Sequence, residues 1–136
     1  MNLLLDTHAF LWFMEGSERI SKRAREAIEG AGGVRALSVA SAWEMAIKAS
    51  LGKLALAKPL GELLPPLLAD AGLELLPIEI ADVARVATLP FHHRDPFDRM
   101  LAAQALEREF TIVSIDEAFD QYGVMRSGSG CVVRWS

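Results

Sequence analysis

Two aspartates of this sequence stand where a strand-like run gives way to a helix-like one. Asp6 follows the apolar segment 3–5, and Asp116 closes the apolar segment 111–115. In an open parallel sheet such positions lie at the carboxyl edge, where binding sites form. Carboxylates that converge there suit hard divalent cations such as Mg2+ or Mn2+.

Two further acids lie at the start of a predicted helix. Asp95 suits the N-cap, because its side chain can accept from the amide groups of the first turn, and Pro96 suits the first helical position. Asp98 then occupies the third position, that of the acidic partner in a capping box. Capping and helix-dipole electrostatics explain both acids as well as a functional site does.

Glu44 lies inside a third helical pattern, with Ser41 one turn before it and Lys48 one turn after it. The order from Glu44 to Lys48 is the favourable one for a helix ion pair, which contributes about 0.2–0.5 kcal/mol. This ion pair is the alternative to a role for Glu44 as a metal ligand.

Four acids in one pocket would repel each other strongly. Two like charges about 4 Å apart repel by about 4 kcal/mol at an effective dielectric constant of roughly 20. A true cluster therefore requires bound Mg2+ or Mn2+, or carboxyl groups with raised pKa values. Two such ions would bind a phosphodiester, generate a hydroxide nucleophile from water and stabilise the leaving oxygen.

The elements that must position these acids alternate between strands and helices. Strands are predicted at residues 2–6, 34–37, 73–78, 111–115 and 132–135, and helices at residues 7–14, 17–31, 38–51, 60–68 and 81–89 and from residue 96 onward. Pro65-Pro66 predicts a kink or a restart in the fourth helix. The alternation favours a three-layer α/β fold with a mostly parallel sheet. For 136 residues without a repeat we expect a single domain over 1–136.

The composition limits the classes of function. The chain is 51% hydrophobic and 24% charged, which is typical of a globular protein, and its net charge is −4. A ligand that is a polyanion would therefore need a local basic patch or bound cations. The single cysteine excludes an intrachain disulfide and favours a cytoplasmic protein. No apolar run reaches the roughly 20 residues that span a bilayer.

Other side chains suggest surfaces rather than chemistry. Trp12 and Phe13 belong to a helix without a polar face, and the segment 60–68 is rich in leucine. We expect part of this apolar surface to form a homodimer and part to hold a protein partner. The adjacent His92 and His93 point apart in most backbones and lack further ligands spaced for zinc.

In their order along the chain, these motifs resemble those of PIN-domain proteins, and more narrowly those of VapC-type toxins of toxin–antitoxin pairs. The motifs are Asp-Thr-His after the first strand, Ser-x-x-Glu with Trp43 before the acid, Asp-Pro-Phe-Asp-Arg-x-Leu-x-Ala-Gln-Ala at 95–105, and an aspartate after the strand at 111–115. The resemblance covers nearly the whole chain, and the motif at 95–105 is its most specific part.

The resemblance implies a PIN-like α/β/α sandwich and an endoribonuclease that depends on Mg2+ or Mn2+. It also implies a homodimer, an RNA substrate and inhibition by a cognate antitoxin. Carried over by position, the catalytic and metal-binding acids are Asp6, Glu44, Asp98 and Asp116. Asp98 is preferred to Asp95 because it precedes the Met-Leu-Ala-Ala segment that follows the family acid. The accessory candidates are Asp120, Ser41, Asp95 and Arg99.

Three alternatives remain open at the level of the sequence. A Mg2+-dependent phosphoacceptor signalling domain requires two acids after the first strand and a lysine after a late strand. This chain has Asp6 followed by Thr7, and it has no lysine beyond Lys58. A phosphomonoester hydrolase with an Asp-x-Asp pair would need an acid in place of His8. A catalytically inactive PIN-like module that binds a partner conflicts with the intact set of acids.

Overall fold

A computed structural model describes residues 2–30, 32–91 and 95–114 of the chain. The predictions for Asp116, Asp120, the strand at 132–135, and His92 and His93 lie outside these residues. Within the described part, no helix combines the length and the apolar character needed to cross a bilayer.

A parallel sheet forms the centre of the molecule. Its strands are β1 (Leu3–Leu5), β2 (Arg35–Ser38), β3 (Glu74–Leu76) and β4 (Thr111–Val113), in the order β3-β2-β1-β4. All three neighbouring pairs are parallel, and Leu4 of β1 lies opposite both Ala36 and Ile112. The predicted parallel sheet is therefore confirmed, with β1 between β2 and β4.

Six helices are present in the described residues. They are α1 (Thr7–Glu15), α2 (Lys22–Glu29), α3 (Val39–Ser50), α4 (Leu60–Ala71), α5 (Ile80–Thr88) and α6 (Pro96–Arg108). Four of them begin with a side-chain cap: Asp6 caps α1, Ser21 caps α2, Ser38 caps α3 and Asp95 caps α6. These caps fix where the chain leaves a strand or loop and turns into a helix.

Two hydrophobic cores lie on opposite faces of the sheet, because successive side chains of a strand point to opposite sides. On one face Leu3, Leu5 and Leu37 pack with residues of α1 to α4 such as Phe10 and Met45. On the other face, Leu4, Ala36 and Ile112 pack with residues of α6 such as Leu101. Helices therefore cover both faces, which confirms the predicted three-layer α/β/α sandwich.

The boundaries of two helices differ from the sequence prediction. The second helix begins at Lys22 rather than near Ser17, because the Ser21 hydroxyl accepts from the Ala24 N–H at 3.1 Å and forms the cap. The fourth helix continues through Pro65 and Pro66 to Ala71, so it does not restart. Both prolines face the solvent, while Leu64 and Leu68 on the other side anchor the helix in the core.

The orientation of α5 agrees only in part with its helical pattern, which predicts that Val83, Val86 and Ala87 face inward: Val86 packs against the second core, whereas Val83 and Ala87 do not. Both are exposed, whereas Asp82 is buried. The Asp82 carboxylate accepts from the Glu79 N–H at 2.8 Å and from the Arg108 guanidinium of α6. This pairing turns the acidic side of the helix toward α6 and leaves Val83 in solvent.

Candidate active site at the carboxyl edge of the sheet

Asp6 leaves β1 at the carboxyl edge of the sheet and is 8% exposed. Its Oδ1 accepts from the Ala9 N–H at 2.8 Å, and its own N–H donates to the Val113 carbonyl at 3.1 Å. The carboxylate is thus held at the N-terminus of α1, where the aligned peptide dipoles favour negative charge. These contacts fix its position relative to both β1 and β4.

Ser114 leaves β4 directly beside Asp6. Its buried hydroxyl donates a short hydrogen bond to Asp6 Oδ2. The two residues follow neighbouring strands between which the strand order reverses, because β2 and β3 lie on one side of β1 and β4 lies on the other. In open α/β sheets this reversal of strand order opens the crevice in which ligands bind.

Glu44 of α3 reaches the same edge through Thr7, the residue after Asp6. The buried Thr7 hydroxyl donates to Glu44 Oε1 at 2.6 Å. Lys48 Nζ lies 3.2 Å from Glu44 Oε2, so the helix ion pair expected from the sequence does form. The ion pair and a place beside Asp6 are not exclusive, because each uses a different oxygen of the carboxylate.

The first turn of α6 carries the acids of the helix-start motif. Asp95 is the N-cap and accepts from the Phe97 N–H at 2.8 Å, with Pro96 at the first position, as predicted. Asp98 lies in the first turn and is half-buried. The rings of Phe97 and Trp43 meet edge to face with 5.1 Å between centroids, which brings the segment that holds Asp98 beside the segment that holds Glu44.

Two accessory candidates have distinct environments. Ser41, one turn before Glu44, is fully buried, and its hydroxyl has no hydrogen-bond partner among the described residues. The Arg99 guanidinium donates to the carbonyls of Val86, Leu89 and Pro90 at 3.0, 3.3 and 2.9 Å. Arg99 therefore braces the end of α5 against α6.

The chemistry of the donors fits a hard divalent cation, because the side chains at this edge offer carboxylate and hydroxyl oxygens. Among residues 2–30, 32–91 and 95–114, no three His, Cys, Asp or Glu side chains lie close enough together to hold a metal ion by themselves. Asp116, the fourth predicted acid, and Asp120 lie outside these ranges. The complete acid set of the prediction is thus not tested.

Sequence reasoning missed the functional contacts of two hydroxyl residues. Thr7 entered only as part of the Asp-Thr-His motif, and Ser114 only as part of a strand. Each hydroxyl bonds a candidate carboxylate across the fold, over 37 and 108 positions of sequence respectively. The available signal was a hydroxyl residue next to a strand-end acid, which marks a donor able to orient a carboxylate.

Comparisons with known proteins agree with this fold. The family model described as PIN domain matches residues 3–125. A chain of VapBC2 from Rickettsia felis, solved bound to a DNA fragment from its promoter, is similar with a TM-score of 0.68 and 14% identity over 92% of this chain and 96% of that one. A chain of DNA-bound VapBC from Salmonella typhimurium is similar with a TM-score of 0.63 and 17% identity, over 93% of this chain and 96% of that one. No curated protein sequence matches significantly.

Proposed function

Because the chain belongs to the PIN-domain family, we propose that it is an endoribonuclease that cleaves RNA phosphodiester bonds with Mg2+ or Mn2+. Its ligand residues are Asp6, Glu44, Asp98 and Asp116. The observation that carries the proposal is the chain of contacts at the carboxyl edge. Asp6 and Thr7 are consecutive, and the Thr7 hydroxyl donates to Glu44 Oε1 at 2.6 Å, which supports a shared site for these two acids from different elements.

The protein's own contribution is to hold the carboxylates before substrate arrives. Ser114 and the Ala9 N–H fix both oxygens of Asp6, and Thr7 fixes one oxygen of Glu44. A bound divalent ion would supply charge neutralisation at the phosphate and a more acidic water molecule. Groups that are already oriented need no rearrangement during the reaction, and this lowers its barrier.

The proposal extends to the biological setting, a VapC-type toxin of a toxin–antitoxin pair. Two structures of similar fold are VapBC complexes, and the motif at 95–105 resembles that of VapC-type toxins. We expect a homodimer held inactive by a small cognate antitoxin. A cluster of carboxylates at a concave edge suits an arginine from that partner, which pairs with a carboxylate through two parallel hydrogen bonds.

The test is cleavage of single-stranded RNA by purified protein. Asp6→Asn, Asp98→Asn and Asp116→Asn should each abolish cleavage with an unchanged circular dichroism spectrum, and Glu44→Gln should impair it. EDTA should stop the reaction, and added Mg2+ or Mn2+ should restore it. Full activity in EDTA, or in all of the aspartate variants, would contradict the proposal and favour a module that only binds a partner.

Asp95→Asn is the matched control, because Asp95 lies in the same helix start and carries the same charge. Its carboxylate caps α6, and asparagine caps nearly as well, so the variant should lose about 1 kcal/mol of stability or less. Cleavage should remain near the wild-type rate. If Asp95→Asn lost as much activity as Asp98→Asn, the comparison would show that cleavage depends on the start of α6 as a whole and not on Asp98 in particular.

A further inference from the structure

A groove opens between α3 and the start of α6, directly beside the candidate site. Its volume is about 470 Å3. This α3–α6 groove is lined by four charged residues, Glu44, Lys48, Lys53 and Asp95, and by the apolar residues Ile47, Leu51, Pro96 and Phe97. A second groove of about 490 Å3, lined by Ala46, Ala49 and Leu54 among others, does not include any of the candidate acids. The α3–α6 groove is thus continuous with the proposed chemistry through Glu44.

We propose that the α3–α6 groove binds the nucleotide next to the scissile phosphate of a single-stranded RNA. This inference rests on the proposed nuclease function. The floor is apolar and suits a base, since Ile47, Leu51 and Phe97 lie along it. From Glu44 to Leu51 the helix advances by about 10 Å, so the groove leads away from the site over roughly two turns.

Three of the four charged groups of the groove are engaged by neighbours, which leaves Lys53 for a phosphate. Asp95 is engaged by the Phe97 N–H, and the two oxygens of Glu44 are engaged by Thr7 and Lys48. Lys48 uses one direction of its ammonium group for Glu44, and an ammonium group carries three donors. Lys53 is exposed and makes no ion pair with any residue that the structure describes.

The groove is lined by two lysines, two carboxylates and an apolar floor, and Lys53 is the cation of this set that is left for a ligand, because Lys48 pairs with Glu44. An acidic protein that binds a polyanion needs positive charge close to the bound phosphate, and Lys53 would supply it here. The exposed aromatic ring of Trp43 stands against Phe97 at the margin and adds a second surface on which a base can stack.

The experiment measures both steady-state cleavage and binding of a short, fluorescently labelled single-stranded RNA. Binding is followed by anisotropy in the Asp6→Asn background, which is expected not to cut. Lys53→Ala should raise KM and the dissociation constant by about two- to fivefold with kcat unchanged. It should also lower the slope of log affinity against log salt by about 0.7, the value for one phosphate contact on a single strand.

Lys53→Arg should retain wild-type KM, because it keeps the charge. Lys22→Ala is the matched control, since Lys22 is an exposed lysine of α2, distant in sequence from the groove and paired only weakly with Glu26 at 3.9 Å. The Lys53 backbone N–H bond to the Lys48 carbonyl survives in Lys53→Ala, so the fold is retained.

Three outcomes would overturn the inference while leaving the nuclease proposal intact. One is wild-type cleavage with unchanged KM and salt slope in Lys53→Ala. Another is an equal effect of Lys22→Ala, which would indicate general attraction rather than a groove. The third is a molecular mass of Lys53→Ala that differs from that of the wild type in light scattering, which would make the groove an interface with another protein chain. Absence of cleavage in the wild type would instead contradict the proposed function itself.

Discussion

At the scale of single residues, the hydroxyl of Thr7 decides where the Glu44 carboxylate lies. Thr7→Val keeps the shape of the side chain but removes the 2.6 Å hydrogen bond. The variant should lose about 1 kcal/mol of folding free energy and reduce cleavage or metal affinity about 10- to 100-fold, since it frees a ligand residue. Unfolding in urea and titration calorimetry with Mn2+ measure the two effects.

Thr7→Ser is the control for this variant, because serine keeps the donor. It should restore most of the metal affinity even if it packs less well. Equal metal affinity in Thr7→Val and the wild type would show that the hydrogen bond serves stability only.

Repulsion between the carboxylates of the proposed site should also affect the stability of the protein. If Asp98 shares a site with Asp6 and Glu44, Asp98→Asn should raise the melting temperature of the metal-free protein, because it removes a like charge. Mg2+ should stabilise the wild type, by about 2.7 kcal/mol at roughly 100 times the dissociation constant, and should stabilise the variant less. Thermal scans in EDTA and in millimolar Mg2+ check both statements.

The opposite pattern has a definite meaning. If Mg2+ has no effect and Asp98→Asn destabilises, the acid acts on the dipole of α6, which contributes about 0.3–1 kcal/mol. Asp98 would then belong to the helix start and not to a metal site.

At the scale of elements, Arg99 joins α5 to α6. Its guanidinium is 7% exposed, binds three carbonyls at the end of α5 and lies 4.3 Å from the centre of the Phe91 ring. The ammonium group of a lysine cannot reproduce this planar set of donors, so Arg99→Lys should lower the free energy of unfolding by about 1.5–3 kcal/mol. Arg85→Lys, which changes an exposed arginine of α5 paired with Glu107, should cost about 1 kcal/mol or less.

Chemical denaturation of the two variants compares them directly. If Arg99→Lys and Arg85→Lys were equally stable, the carbonyls bound by Arg99 would be hydrogen-bonded by water in the variant. The proposed role of Arg99 in joining α5 to α6 would then be wrong.

Elements whose signals are local could be predicted from sequence. Ser38 and Asp95 each cap the helix that was predicted to follow, because a cap depends on the next few residues. The face that α5 presents could be predicted only in part: Val86 does pack inward, but the burial of Asp82 depends on its contact with Arg108, which lies 26 positions away. The same holds for the site, because the acids stand out by type while their hydroxyl partners come from distant segments.

At the scale of the whole molecule, the apolar segments singled out in the sequence are partly buried, and further apolar residues are exposed on α5. Trp12 and Phe13 are half-buried against the core, and Leu64 and Leu68 are buried. The exposed apolar residues include Ile80 of α5, at 83% exposure, and Val83, at 49%. Side chains of this size are unfavourable in water, so for the proposed homodimer we expect α5 to lie at the contact between the two copies.

The last prediction joins the dimer to the inhibitory partner. Wild-type protein should scatter light as a dimer, and Ile80→Asp should scatter as a monomer, while Ala55→Asp at an exposed position between α3 and α4 should not change the mass. The proposed antitoxin, which we expect to be encoded next to this gene, should copurify on co-expression and suppress RNA cleavage. Since its basic side chain is expected to enter the acid pocket, Asp6→Asn should weaken the complex, whereas Asp95→Asn should not. A monomeric wild type would contradict the dimer, and a neighbour that neither copurifies nor inhibits would contradict the toxin–antitoxin assignment while leaving the nuclease test unaffected.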